Sequence, residues 1–171
     1  MDDCILNKRR SVRKFKCDSV SNELISKVIS SARQSPSARN QQPWRFVVVK
    51  NKQMLKDLSK VSKYSAFLES APAVIAILKV SDDLLSTPDM AVQDLSCCMT
   101  YKMLEATSLG LGTCYMGIWP RQERISACNK ALNLKDGLNT FALMPIGYPQ
   151  DENAFYEKEG RFNKDFIKWE E

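Results

Sequence analysis

Pro36-Ser37-Ala38-Arg39-Asn40-Gln41-Gln42-Pro43-Trp44 joins two segments of opposite character. Before it, Leu24, Ile25, Val28, Ile29 and Ala32 recur at helical spacing behind Ser21, a good N-cap. Pro36 sets the limit of that helix, because proline disfavours helical backbone in the residue before it. After the loop, Arg45 to Lys50 is short and rich in Phe and Val, and reads as a buried strand. The loop itself carries small and amide side chains, which suit either a polar connector or a ligand-facing surface.

The same alternation continues along the chain. Lys52 to Val61 reads as an amphipathic helix and Tyr64 to Ser70 as a shorter one. Ala73 to Lys79 is a second strand, set off by Pro72. Ser81 to Asp89 is a polar connector containing Pro88, and a long helix follows from about Met90 to Leu109. Ala91, Leu95, Cys98, Met99, Met103, Leu104 and Ala106 occupy more than one face of that helix, with few charges among them. Such a helix is buried on most sides, and in a small domain this points to a subunit interface. Gly110-Leu111-Gly112 ends it. Thr113 to Ile118 reads as a third strand, Gln122 to Ala131 as a helix, and Thr140 to Ile146 as a fourth strand closed by Gly147-Tyr148-Pro149. The charged tail from Gln150 ends with Phe162, Phe166, Ile167 and Trp169, apolar groups that imply docking. One domain spanning residues 1–171 accommodates all of this.

Composition narrows the chemistry. The chain has 44% hydrophobic and 26% charged residues, ordinary for a globular protein. No apolar run approaches the ~20 residues of a membrane span. Met1-Asp2-Asp3-Cys4 lacks the apolar core of a signal peptide, so a cytoplasmic location is expected. The six cysteines contain no Cys-x-x-Cys pair, which argues against a zinc or thioredoxin-type site and for a reducing compartment. No metal site is expected. The chain has no histidine, which removes Ser-His-Asp and Cys-His nucleophile systems and histidine-ligated metals. An enzyme of this composition borrows its chemistry from a cofactor.

Arg9-Arg10-Ser11-Val12-Arg13 supplies what a phosphate-bearing cofactor needs. Arginine stays charged and presents a fork matched to phosphate. A solvated basic face beside the first helix is the plain alternative. The net charge of +5 gathers between Lys8 and Lys16, as in some nucleic-acid binders. However, Val12 and Phe15 interrupt the run and no aromatic-rich basic surface follows, so neither nucleic acid nor membrane is an expected partner.

These two segments, about 25 residues apart, resemble the two N-terminal flavin-contacting segments of the FMN-dependent nitroreductase family. The first is similar to the family's Arg-[Arg/His]-Ser-x-[Arg/Lys] motif, and the second to its Pro-Ser-x-x-Asn-x-Gln-Pro loop. The resemblance implies that Arg9 and Ser11 contact the FMN phosphate. Arg10 would contact the phosphate or ribityl chain, and Arg13 the N1–C2=O edge, which gains negative charge on reduction. It implies further that Pro36, Ser37, Ala38, Asn40 and Gln42 contact the cofactor, Asn40 at the isoalloxazine edge. The Gly110-Leu111-Gly112 segment resembles the family's third element, which would bring the backbone of Met116, Gly117 and Ile118 to flavin N5. Gly147-Tyr148-Pro149 followed by Arg161 and Trp169 resembles the family's C-terminal pattern, with Arg161 a further phosphate cation.

The implied fold is α+β: a three-layer α/β/α sandwich around a mostly antiparallel four- to five-stranded sheet, in an intertwined homodimer with two FMN sites at the interface. The tail from about 150 to 171 would dock on the partner subunit. The implied activity is ping-pong hydride transfer from NADH or NADPH through FMN to a nitroaromatic, a quinone or a similar small acceptor. Dehalogenation, flavin modification and non-catalytic flavin binding remain alternatives on the same fold. One departure is visible: the Ser81 to Asp89 connector is short where many family members carry a helical excursion, which implies an open acceptor face.

Overall fold

The computed structural model describes residues 4–158, 160 and 163–170. A single turn, α1 (Ile5–Lys8), precedes the cationic segment. Helix α2 (Asn22–Ser30) starts where Ser21 accepts the Leu24 N–H at 3.2 Å, and a 3-10 turn over Ser31–Gln34 extends it to the predicted limit. Then follow β1 (Trp44–Val49), α3 (Lys52–Leu58), β2 (Ala73–Val80), α4 (Ala91–Ser108), β3 (Gly112–Thr113), β4 (Met116–Gly117), α5 (Gln122–Ala131) and β5 (Leu138–Gly147). Among the described residues the strands form one antiparallel sheet in the order β1-β2-β5-β3, with β4 also paired to β5.

Side-chain alternation along β2 builds the layers. Ala73, Ile75 and Ile77 point to the face covered by α2 and α4, where they meet Ile25, Val28, Leu95, Met99 and Met103. Val74, Ala76 and Leu78 point to the other face, against Leu55 and Leu58 of α3 and Ile125 and Cys128 of α5. Every residue of β2 is buried, as a central strand covered on both sides requires. Leu55 and Leu58 have no exposed surface, and truncating either to Ala would cost about 2–5 kcal/mol. This is the three-layer α+β sandwich expected from the sequence.

Three elements differ from the sequence reading. β1 is not a buried strand: it lies at the sheet edge, where Arg45 and Val48 face outward. The helix expected to reach Val61 stops at Leu58, where polar turns take over and the buried Ser65 hydroxyl bonds the Ser59 carbonyl at 2.9 Å. The third strand is two short pieces. Thr113 faces Ile146 and Met116 faces Leu143, so Cys114 stands opposite Pro145 in the same register. Proline has no N–H to donate, and the ladder lapses there.

The connector after β2 consists of 3-10 turns over Asp82–Leu84 and Pro88–Met90. No helix among the described residues is long and apolar enough to cross a membrane.

Candidate functional site

The cationic segment is held against the start of β3. The Val12 N–H donates to the Thr113 carbonyl at 2.8 Å, and Ser11 bridges Thr113 in parallel. Val12 is buried so closely over Gly112 that a Cβ there would lie 2.7 Å from the Val12 Cβ. The close approach that glycine permits at this position is therefore to the chain itself. With Val12 facing inward, Ser11 and Arg13 face outward. On the far side, the Lys16 N–H donates to the Tyr148 carbonyl at 2.9 Å and the Gln150 N–H to the Lys14 carbonyl at 3.1 Å, which pins the beginning of the tail.

A cleft of about 510 Å³ opens between these strips, lined by Arg9, Arg10, Ser11, Arg13, Lys14 and Lys158, with Tyr156 and Asp151. Among the described residues its cations outnumber its one carboxylate, Asp151, so its potential favours an anion. The Tyr156 ring lies 4.5 Å from the Arg10 guanidinium. Arg10 donates one hydrogen bond, at 3.2 Å, to the Arg9 carbonyl; its Nε and Nη2 are buried with no partner among the described residues. Buried guanidinium donors are costly to leave unmet, and a phosphate oxygen would satisfy them.

Arg13 also lines a second cavity of about 190 Å³, walled by Ser62, Tyr64, Phe67, Arg124 and the run Cys114-Tyr115-Met116-Gly117-Ile118. Arg13 is thus common to the walls of a cationic compartment and of a smaller, more aromatic one. Gly117 leaves this wall open, since a Cβ there would meet nothing nearer than Tyr115, at 3.9 Å. Burial pushes the Cys114 thiol above its ordinary value, and the charges of Arg13 and Arg9 oppose that rise only in part. A thiol so held is protonated and not a nucleophile at neutral pH. Among the described residues there is no group of acids and thiols that could hold a metal.

The amide loop lies elsewhere. Ala73 faces Ile146, which faces Thr113 beside the cleft, whereas Trp44 faces Lys79 near the other end of β2. Six residues of strand separate the two places, about 20 Å. Within one copy, Arg9, Arg10, Ser11 and Arg13 therefore meet Met116, Gly117 and Ile118, but Pro36, Ser37, Ala38, Asn40 and Gln42 do not join them.

The loop is rigidly built. Arg39, Asn40 and Gln42 have φ of 49°, 54° and 47°. Left-handed backbone costs a non-glycine residue about 1 kcal/mol or more, so other contacts must hold it. Gln42 donates to Asn40 Oδ1 at 2.9 Å, and both side chains are exposed. Sequence reasoning passed over three residues: Gln41 and Asp94, which anchor this loop, and Tyr156, which covers Arg10. No local signal marks Asp94, because its partners lie more than 50 residues away. Arg161 lies outside the described residues.

The fold thus places a cationic cleft beside a smaller, more aromatic cavity, with Arg13 lining both. Residues 6–73 and 59–148 match the nitroreductase family, and the chain belongs to that family. A protein of Archaeoglobus fulgidus, named as a candidate NADH dehydrogenase/NAD(P)H nitroreductase, is 38% identical over 176 residues, covering 99% of this chain and 100% of its own. The crystal structure of a candidate NADH oxidase from Clostridium acetobutylicum superposes with a TM-score of 0.91 at 34% identity, covering 98% of this chain and 99% of that one. An FMN-dependent nitroreductase of Clostridium difficile R20291 superposes with a TM-score of 0.85 at 27% identity, covering 98% of each chain.

Proposed function

We propose that this chain is an FMN-dependent oxidoreductase that takes hydride from NADH or NADPH and passes it, in a ping-pong cycle, to a small acceptor such as a nitroaromatic or a quinone. The observation that carries this reading is Arg13, which lines both the 510 Å³ cationic cleft and the 190 Å³ cavity beside Met116, Gly117 and Ile118. An FMN molecule has that shape in charge and chemistry: a phosphate at one end and a flat ring with a polar edge at the other. When bound, it would supply the hydride chemistry that no amino-acid side chain offers.

Arg9, Ser11 and the unpaired donors of Arg10 hold the phosphate. Tyr156 packs on Arg10 and keeps its fork in place. Arg13 provides a fixed positive charge at the ring edge where negative charge collects, which favours the reduced state. The backbone of Met116, Gly117 and Ile118 would lie against the ring. Asn40, with Ser37, Ala38 and Gln42, comes from a second copy of the chain, because its own loop lies about 20 Å from its own cleft. Phe166, Ile167 and Trp169 are 81%, 41% and 79% exposed in a single copy, which supports docking of the tail on a partner. Protons come from solvent at an acceptor face that the short 81–89 connector leaves uncovered. Arg161 adds a phosphate cation on this reading.

The test is a visible absorption spectrum of the purified protein, followed by anaerobic addition of NADH and, separately, NADPH. Bands near ~450 nm that bleach on addition support the proposal and name the preferred donor. A colourless protein that takes up no added FMN would contradict it. Bound flavin that neither nucleotide reduces would leave a flavin-binding protein without this activity.

A further inference from the structure

The loop that presents Asn40 and Gln42 is fastened by a clasp on the side away from them. Gln41 Nε2 donates to Asp94 Oδ2 at 2.7 Å and to the Thr87 carbonyl at 2.9 Å, while its Oε1 accepts the Thr87 N–H at 2.9 Å. All the hydrogens of that amide are thereby used. The other carboxylate oxygen of Asp94 accepts the Ala38 N–H at 2.9 Å. Asp94 stands in the first turn of α4, is 4% exposed, and forms no ion pair among the described residues. Burying a carboxylate is costly unless its oxygens are hydrogen-bonded, and here both are satisfied by donors of the loop.

We infer that Asp94 and Gln41 are positioning residues, which lock the loop in its left-handed backbone and so set the direction in which Asn40 and Gln42 reach the cofactor of the neighbouring copy. This rests on the flavin reading above. The reasoning follows from donor count. A carboxylate only accepts, so it forces the Gln41 NH₂ toward itself and the Gln41 oxygen toward Thr87. With that amide fixed, residue 41 points into the protein and residues 40 and 42 point out. The three positive φ values of Arg39, Asn40 and Gln42 belong to this arrangement. Ser37 closes the turn by accepting the Gln42 N–H at 3.2 Å. Neither Asp94 nor Gln41 lines the cationic cleft or the smaller cavity, so they act through the loop.

Asp94→Asn is nearly isosteric but has one acceptor oxygen for two donors, leaving one pair of donors face to face. FMN affinity, the midpoint potential of the bound flavin and apoprotein melting should be measured for wild type, Asp94→Asn, Asn40→Ala and the double variant. Gln41→Ala opens the clasp from the loop side if Asp94→Asn does not fold. The expected result is a loss of about tenfold in FMN affinity and a shifted potential for Asp94→Asn, in line with a lost charged hydrogen bond. Asn40→Ala should weaken binding about fivefold alone and add little in the double variant, since the amide is already misplaced. Unchanged potential, with the full Asn40→Ala loss persisting beside Asp94→Asn, would overturn the positioning role. A wild-type protein that binds no FMN would instead sink the flavin reading on which it stands.

Discussion

The two segments that define the candidate site are built on opposite terms. Among the described residues the Arg9–Arg13 strip is short of partners for its charges: it is held by backbone bonds to Thr113, and Arg10 keeps buried donors unmet. The Pro36–Trp44 loop is fully tied from behind, with Gln41 and Asp94 satisfied and a strained backbone kept in place. One end waits for a ligand's charge, and the other offers amides in a fixed direction. They sit at opposite ends of β2, and α4, about 27 Å long, spans the same gap. A ligand that touches both must lie between two copies of the chain. On the proposed function, affinity comes mainly from one copy's cleft, and orientation of the ring edge from the other copy's loop.

The largest expected effect is at the cleft. Changing Arg9 and Arg13 together to Ala should lower FMN affinity by on the order of a hundredfold or more, because charge-assisted bonds are worth about 1.5–3 kcal/mol each. Flavin fluorescence titration measures it, and the melting temperature of the apoprotein should hardly move, as Arg13 is exposed. A milder loss than that of Asn40→Ala would reverse the division of labour between the two segments.

Arg13→Ala by itself should make flavin reduction less favourable, read as a more negative midpoint potential. An unchanged potential with FMN bound would remove Arg13 from the ring edge.

The smallest effect belongs between the two ends. Lys102 in the middle of α4 has no exposed surface, sits 4.1 Å from the Phe46 ring centre and bonds Cys98. Burial lowers its amine below the ordinary 10.5. Between the lowered value and 10.5 the unfolded chain binds a proton that the folded chain does not, so stability rises with pH in that window. Lys102→Met should therefore stabilise the fold, with a gain that shrinks as pH rises through that window, in urea unfolding. Its FMN affinity should equal that of the wild type. A matching fall in FMN affinity would mean that α4 couples the two ends instead of merely spacing them.

Much of this was legible in the residues. The Ser21 cap, the apolar repeat behind it and Pro36 bounded the first helix. The largely apolar runs marked β2 and β5, and Arg9, Arg10, Ser11 and Arg13 carried their chemistry in their own side chains. The broken third strand was not legible from Thr113 to Ile118, because its cause, Pro145, sits in the strand opposite. The exposed face of β1 followed from its place at the sheet edge, which composition does not reveal. Asp94 and Gln41 looked like ordinary polar residues until folding placed them together. The separation of cleft and loop needed the strand register.

A mixing experiment tests the shared site most directly. One variant carries Arg9→Ala with Arg13→Ala, and the other carries Asn40→Ala with Gln42→Ala. The first alone should scarcely bind FMN, and the second should bind it clearly more weakly than the wild type. Unfolding and refolding them together makes mixed dimers in which one copy's intact cleft meets the other's intact loop, about one whole site per mixed dimer. Recovery of tight FMN binding in the mixture, absent from either variant refolded alone, is the predicted result. No recovery, with mixed dimers shown to form, would contradict a site shared between two copies.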